Sequence, residues 1–255
     1  MKIIGLTKIR NEELIIKETL DHWGRICPGG LYVYDDDSTD DTVQICRDHP
    51  SVKALIEGQT WDVDRERAEW MNRQKVLERA QRDAGPDDWF IYFDADERLF
   101  FDEWKLLFTP DIKAIACQLY DVYITPEDVD EPDHNRRQFV GPEYRTIVFF
   151  FRNSEYLRYN KPDQRVVDLG PQRYIPVYGI VKHFGKGLSV EHWEETCDYY
   201  INFWPKYSDK WTKRKGKAVK EDYKSDFGNK LIKFNDVLNG RVKGVPLEQQ
   251  VYGGN

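Results

Sequence analysis

Cysteine is scarce in this chain and unpaired. Its four copies, Cys27, Cys46, Cys117 and Cys197, lie far apart with no C-x-x-C pair, which argues against a disulfide framework or a cysteine-built zinc site. Free buried thiols are the expectation. No apolar run approaches the ~20 residues that a bilayer span needs. The opening MKIIGLTKIRNEE turns charged too early for the apolar core of a signal peptide, so a mature cytoplasmic chain is expected. There is no internal repeat and no low-complexity tract. Excess positive charge is lacking too: a net charge of -7 disfavours nonspecific binding to a nucleic-acid backbone, and no nucleic-acid partner is expected.

What is present fits a soluble globular protein. The 255 residues are 40% hydrophobic, 33% charged and 14% aromatic, with 17 Gly and 12 Pro, enough for one large domain or two small ones. The charge is unevenly spread. Residues 206–243 hold 12 Lys and Arg against 5 Asp and Glu, a basic stretch on an otherwise acidic chain.

Strand-like and helix-like segments alternate over the first hundred residues. Strands are expected at 2–6, 31–34, 52–56 and 89–93. Between them, helices are expected after Asn11, which would cap a stripe of Leu14, Ile15, Leu20 and Trp23, after Ser38, and over 65–82. Trp89 to Phe93 is apolar on both faces, as in a parallel strand covered by helices. This pattern predicts an α/β fold with a mixed, mostly parallel sheet flanked by helices. Further strands are expected at 114–124, 147–151 and 175–181, and one amphipathic helix over 193–211 leads into a helical C-terminal region.

In such sheets ligands bind beyond the carboxyl ends of the strands, and three polar clusters fall there. Thr7, Lys8, Arg10, Asn11 and Glu12 follow the first strand; Asp35, Asp36, Asp37, Ser38, Thr39 and Asp40 follow the second; Asp94, Ala95, Asp96 and Glu97 follow the fourth. Asp94 and Asp96 end a strand one residue apart, so both can lean toward one hard cation, Mn or Mg, shared with bound phosphates. Neither acidic run has the central Gly and twelfth-position Glu of an EF-hand. The alternative for Asp40 and Asp41 is capping of the helix that follows.

Taken in order, T-K-I-R-N-E-E, D-D-D-S-T-D-D-T and W-F-I-Y-F-D-A-D-E resemble the nucleotide-sugar half of family 2 glycosyltransferases with the GT-A (Rossmann-like) fold. The resemblance covers roughly the first hundred residues. It implies a single domain over 1–255, divided into a nucleotide-sugar half (1–99), an acceptor half (100–205) and the basic segment (206–255). It also implies a nucleoside-diphosphate-sugar donor of UDP, GDP or dTDP type, a divalent metal, a glycan hydroxyl acceptor in polysaccharide or glycan synthesis, and inversion. Thr7 and Arg10, with Lys8 and Asn11, would line the nucleotide; Asp36 would contact the base; Asp94 would face ribose or metal, and Asp96 the metal. Arg73 and Lys75 would approach the diphosphate. Asp37 and Asp41 stand where the commoner pattern has glycine.

An inverting transfer needs a carboxylate to take the acceptor's proton. Asp163 in L-R-Y-N-K-P-D-Q-R is the first choice, with Asp121, Glu143 and Glu191 as alternatives. His183 in V-K-H-F-G is a candidate third metal ligand. The aromatic segment 193–211 with the lysines after it is either an acceptor platform beside a patch for an anionic glycan or a membrane surface, or an amphipathic core helix. Two rival functions remain: a sugar-phosphate nucleotidyltransferase, which would release pyrophosphate, and a catalytically silent glycan-binding protein of the same fold.

Overall fold

A computed structural model describes residues 1–100, 111–162, 164–171 and 175–247. The chain forms two compact units, one built mainly from Met1–Arg98 and Val148–Val177, the other mainly from Cys117–Ile147 and Tyr178–Asn255. The fold class is the mixed α/β one expected from the sequence: a mostly parallel sheet with flanking helices.

In the first unit the strands β1 (Ile3–Ile9), β2 (Leu31–Asp35), β3 (Val52–Glu57) and β4 (Trp89–Tyr92) lie in the order β3-β2-β1-β4, all parallel. Thr7 is in register with Val33, and Leu6 with Tyr92. β2 and β4 are buried along their whole length, which is why they read as unbroken apolar runs rather than as alternation.

Three helices cover this sheet: α1 (Ile16–Ile26), α2 (Thr42–Asp48) and α3 (Arg65–Gln81). α1 buries Ile16, Thr19, Leu20 and Trp23, a single stripe at helical spacing. It is not capped by Asn11: the residue before the helix is Ile15, and its side chain makes no cap bond. α2 starts beyond Ser38, and Asp40 Oδ1 accepts from the Thr42 amide at 3.1 Å, so the capping alternative holds for Asp40. α3 is capped by Asp64, which accepts from the Arg67 amide at 3.2 Å.

The buried stripe of α3 changes chemistry along its length. Val76, Leu77 and Ala80 pack with Ile4, Leu6, Tyr32, Phe90 and Tyr92 in the core. One to three turns earlier the same stripe carries Arg65, Glu69, Asn72 and Arg73, also buried. Buried charge at that end must be paired.

The remaining strands are β5 (Glu97–Phe100), β6 (Ala114–Val122), β7 (Phe139–Arg152), β8 (Val177–His183), β9 (Ile232–Lys233) and β10 (Val245–Pro246). β7 is far longer than the expected 147–151 segment, taking in Pro142. Its last residues pair antiparallel with β4 in the first unit, and its first residues pair with β9 in the second. β6 lies between β7 and β8.

The single helix expected over 193–211 is two, α4 (Val190–Phe203) and α5 (Ser208–Arg214), because Pro205 opens a 3-10 turn between them. A short α6 (Phe234–Leu238) follows. Tyr200 stacks on Trp211 at 4.4 Å, and Trp193 lies 5.8 Å from Trp211. Trp193 and Trp211 are buried with Cys197, so this part of the aromatic segment is core between α4 and α5.

Candidate functional site

The chain leaves β1 for β2 on one side and returns to β4 on the other, which puts a topological switch point at the carboxyl ends of β1 and β4. A crevice at such a point is where open α/β sheets bind ligands. Residues Thr7 to Arg10 close β1, and Asp94 to Glu97 follow β4.

Beneath the first of these segments lies a buried ionic network. Lys8 Nζ is 2.7 Å from Glu69 Oε1 and 3.4 Å from Asp36 Oδ2. Asp36, 2% exposed, also receives Arg65 Nη2 on Oδ2 and Asn72 Nδ2 on Oδ1 at 2.9 Å. Arg73 Nη2 pairs with Glu69 at 2.9 Å, while its Nε donates to Tyr92 Oη at 3.0 Å and its Nη1 to the Gln164 carbonyl at 2.9 Å. Burial disfavours the charge on Glu69, yet Lys8, Arg73 and Arg65 bring its carboxyl down to about 2. The Arg73 guanidinium is held well above its usual range against burial by Tyr92, Glu69 and Asp94.

Arg10 sits at the rim of this network. Its Nη1 donates to the Asp36 carbonyl at 3.1 Å, and its guanidinium lies 4.6 Å from the Trp61 ring centre, with Arg65 5.1 Å from the same ring. Among the described residues Lys8, Arg10, Arg65 and Arg73 thus gather about the buried carboxylates of Asp36 and Glu69, with Asp94 and Glu12 acting on Arg73 and Lys8 from the neighbouring loops. A cation at the rim, Arg10, suits an anionic ligand. Thr7 is fully buried, and its hydroxyl has no partner among the described residues. Exposed Asn11 ties the two loops together, accepting the Thr39 amide on Oδ1 at 2.9 Å and donating its own amide to Ser38 Oγ at 2.9 Å. Lys75 meets the edge of the network at Asn72, its Nζ 3.2 Å from Asn72 Oδ1 and 3.3 Å from Tyr34 Oη.

Two loop residues hold left-handed backbone, Asn11 at φ 51° and Asp37 at φ 62°. Asp37 therefore keeps the conformation that glycine supplies in the commoner motif. Aspartate tolerates it better than most residues, and Asp37 Oδ2 accepts the Trp61 amide at 3.1 Å.

The acidic loop after β4 is fixed from both sides. Thr19 Oγ1 donates to the Ala95 carbonyl, and Trp23 Nε1 donates to the Glu97 carbonyl at 3.1 Å while its ring stacks on Phe93 at 4.5 Å. The buried stripe of α1 thereby positions the loop. Glu97 is itself buried; it accepts the Asp94 amide at 2.8 Å and Arg165 Nη2 at 2.8 Å. Arg165 Nε also reaches Asp94 Oδ2 at 3.2 Å. Asp94 and Asp96 remain partly exposed.

Among the described residues no three His, Cys, Asp or Glu side chains converge to hold a metal by themselves. The loop still suits a hard divalent ion of the kind that takes one or two carboxylates and completes its shell with phosphate oxygens and water. Burial and the charges of Asp96 and Asp94 push the Glu12 carboxyl well above its usual range, a concentration of negative charge that a cation would relieve.

The other candidates lie in the second unit or outside the described residues. Asp121 is an ion-pair hub: its oxygens take Lys186 Nζ at 2.7 Å, His183 Nδ1 at 2.7 Å and Arg145 Nη2. Burial opposes its charge, but Arg145, Lys186 and His183 hold its carboxyl well below the usual range. Glu143 is buried and accepts Ser225 Oγ at 2.8 Å and Asn229 Nδ2 at 2.5 Å. Glu191 is exposed in the first turn of α4. Asp163 lies outside the described residues.

Sequence reasoning missed Glu69 and Arg165, and it preferred Arg73 and Lys75 to Arg65 and Asn72 among the basic and amide residues of α3. Glu69 had a signal, since with Arg65 and Asn72 it continues the apolar stripe of α3 with charge and amide. Arg165 had none, being 68 residues from its partner Glu97.

No protein-family model matches the chain. Two curated relatives, the uncharacterized protein Rv3786c of Mycobacterium tuberculosis and the uncharacterized protein Mb3815c of Mycobacterium bovis, are each 31% identical to it over 164 residues, 62% of this chain and 36% of theirs. The chain thus spans about a third of the length of the curated relatives it matches. Among solved structures, S. aureus TarS 1-349 in complex with UDP is 14% identical over 84% of this chain and 71% of that one, with a TM-score of 0.43. Glucosyl-3-phosphoglycerate synthase from Mycobacterium tuberculosis, in complex with Mn2+, uridine-diphosphate-glucose and phosphoglyceric acid, is 17% identical over 52% of this chain and 48% of that one, with a TM-score of 0.30.

Proposed function

We propose that the chain is a metal-dependent glycosyltransferase of the GT-A type, moving a sugar from a nucleoside diphosphate to a glycan hydroxyl with inversion. The observation that carries this is the pairing at one switch point of a cation-rich floor, Lys8, Arg10, Arg65 and Arg73, with an acidic loop, Asp94 and Asp96. A nucleoside diphosphate needs both, cations for its phosphates and carboxylates for the ion that bridges them. A bound divalent ion would supply Lewis-acid stabilisation of the diphosphate leaving group.

The chain's own residues do the rest. Arg10, at the rim beside Trp61, contacts the nucleotide. Asp36 acts through others: it fixes Lys8, Arg65 and Asn72 so that their charges are in place before the ligand arrives. Glu97 sets the backbone of the loop that presents Asp94 and Asp96. Asp163 is proposed as the base that removes the acceptor's proton. Asp121 suits that task poorly, because a carboxyl held far below its usual range by three donors is a weak proton acceptor.

Thermal melting with UDP, GDP, dTDP and CMP, each with and without Mn, tests the proposal. A ligand at 100 times its Kd adds about 2.7 kcal/mol to stability, roughly 5–10 °C for a chain of this size. A metal-dependent rise with one nucleoside diphosphate, together with release of that diphosphate from its sugar conjugate, is the expected result. No rise with any of the four would defeat the proposal.

A further inference from the structure

Within the second unit a cavity of about 460 Å³ opens between the loop after β6, the turn before β7, β8 and the start of α6. Its size falls within the ~300–1,000 Å³ of small-molecule sites. Three charged side chains of its lining are buried, Asp128 at 8% exposure, Arg137 at 3% and Lys182 at 4%. Phe234, also buried, adds an apolar wall.

Two of these side chains lie close together without a hydrogen bond between them. Arg137 Nη1 stands 3.7 Å from Asp128 Oδ1, an oxygen that already accepts the Thr125 amide at 2.8 Å and the Thr125 hydroxyl at 3.0 Å. The other oxygen, Asp128 Oδ2, and Arg137 Nη1 are both buried and have no hydrogen-bond partner. Unmet buried groups cost free energy and are rare. Both side chains are anchored through their remaining atoms, Asp128 on Thr125 and Arg137 by its Nε, which donates to the Gly187 carbonyl at 3.3 Å. Lys182 Nζ holds the turn that carries Arg137, donating to the carbonyls of Arg137 at 2.7 Å and Asn135 at 3.3 Å. An acceptor and a donor are thereby set side by side at the cavity wall, with little freedom left to lose on binding. The terminal torsion of an aspartate is soft, so a small rotation presents Oδ2 to a guest.

The opposite signs of the pair select the guest. An anion would gain Arg137 but meet Asp128, and a cation the reverse. A hydroxyl donates and accepts at once, so two neighbouring hydroxyls satisfy both atoms without dividing the pair. The rest of the lining also mixes signs, Glu127 and Glu131 with Arg136 and Lys233, which builds no field for an ion of one charge. Phe234 offers an apolar neighbour to the C–H face of a ring.

We infer that this cavity binds one neutral sugar residue, held through adjacent hydroxyls by Asp128 and Arg137. The pocket is built from the second unit alone and does not depend on the donor reading. The test titrates the full chain, without nucleotide or metal, with glucose, galactose, N-acetylglucosamine and alanine, followed by saturation-transfer NMR. Saturable binding of at least one sugar is expected. Asp128→Asn, which keeps the side chain's shape and removes a charged acceptor, should weaken it about tenfold or more. Asn235→Trp, which puts a large ring at an exposed position of the lining, should weaken it likewise and decides the matter if circular dichroism shows Asp128→Asn unfolded. Lys17→Gln, on α1 in the first unit, should bind as the parent does. Binding of no sugar, or of alanine alone, overturns the inference. Sugar binding at full strength by Asn235→Trp or by folded Asp128→Asn overturns it too, because the sugar then sits elsewhere, the donor site included. The melting shift with a nucleoside diphosphate and Mn reads the donor site separately, so either result can fail without the other.

Discussion

Replacing Glu69 by glutamine keeps the side chain's shape and removes one of the two negative charges beneath the switch point. Glu69 is 7% exposed and touches Lys8 at 2.7 Å, Arg73 at 2.9 Å and Arg65 at 3.3 Å. Without its charge, Lys8 and Arg65 would share Asp36, and Arg73 would lose its direct carboxylate partner, leaving the attraction of Asp94. The fall of the carboxyl from 4.5 to about 2 corresponds to about 3 kcal/mol. Removing one partner of a buried pair costs about 3–5 kcal/mol in general, so the two routes agree. Glu69→Gln should therefore lose about 3 kcal/mol at pH 7 in urea unfolding. Because the folded carboxyl is depressed, its stabilisation is complete above pH 4.5 and lost as pH falls toward 2. The gap between parent and variant should close over that interval. A loss under about 1 kcal/mol at pH 7, or a gap that stays constant down to pH 3, would refute the reasoning.

Other expectations follow from the same geometry. Asp96→Ala should abolish transfer and the metal-dependent melting shift while metal-free stability stays within about 0.5 kcal/mol; retained transfer would remove Asp96 from the metal site. Asp37→Val should cost about 1–3 kcal/mol, since a β-branched residue resists φ 62°, and unchanged melting would deny the left-handed turn. Asp121→Asn should destabilise by about 1–3 kcal/mol by weakening its buried pairing with Lys186, which keeps Asp226 at 3.1 Å. Lost transfer with stability intact would instead mark Asp121 as the base.

Much of the first unit is legible because its periods are clean. Leu20 and Trp23 of the expected stripe are buried on α1 beside Ile16 and Thr19, though Leu14 is 67% exposed and Ile15 precedes the helix, and Trp89 to Phe93 is apolar on both faces because β4 is covered on both. The caps were not legible. Asn11 and Ser38 are good local caps by residue type, but they bond to each other's loop across 27 and 28 residues, and that pairing outweighs a cap bond to the helix that follows. β7 was missed over most of its length because the proline within it reads as a strand breaker. Pro205 was in plain view: aromatic spacing suggested one helix where a proline dictates two.

The site shows which part of a binding centre local sequence can disclose. Asp36, Asp94 and Asp96 stand out because a strand end fixes their place, and the strand is visible in the residues just before them. Their partners come from elsewhere: Arg65 and Asn72, with Glu69 beside them, from the inner face of α3, and Arg165 from a loop 68 residues beyond Glu97. Of these, the α3 set could have been read, because a buried helical stripe that turns from Val76 and Ala80 to charge must lie over something that pairs it. The second unit repeats the lesson at longer range, with Asp121 meeting His183 and Lys186 at separations of 62 and 65 residues. The basic segment looked like a solvated run by composition. Only the fold reveals that Arg214 and Lys220 pair with the buried side chain of Asp226.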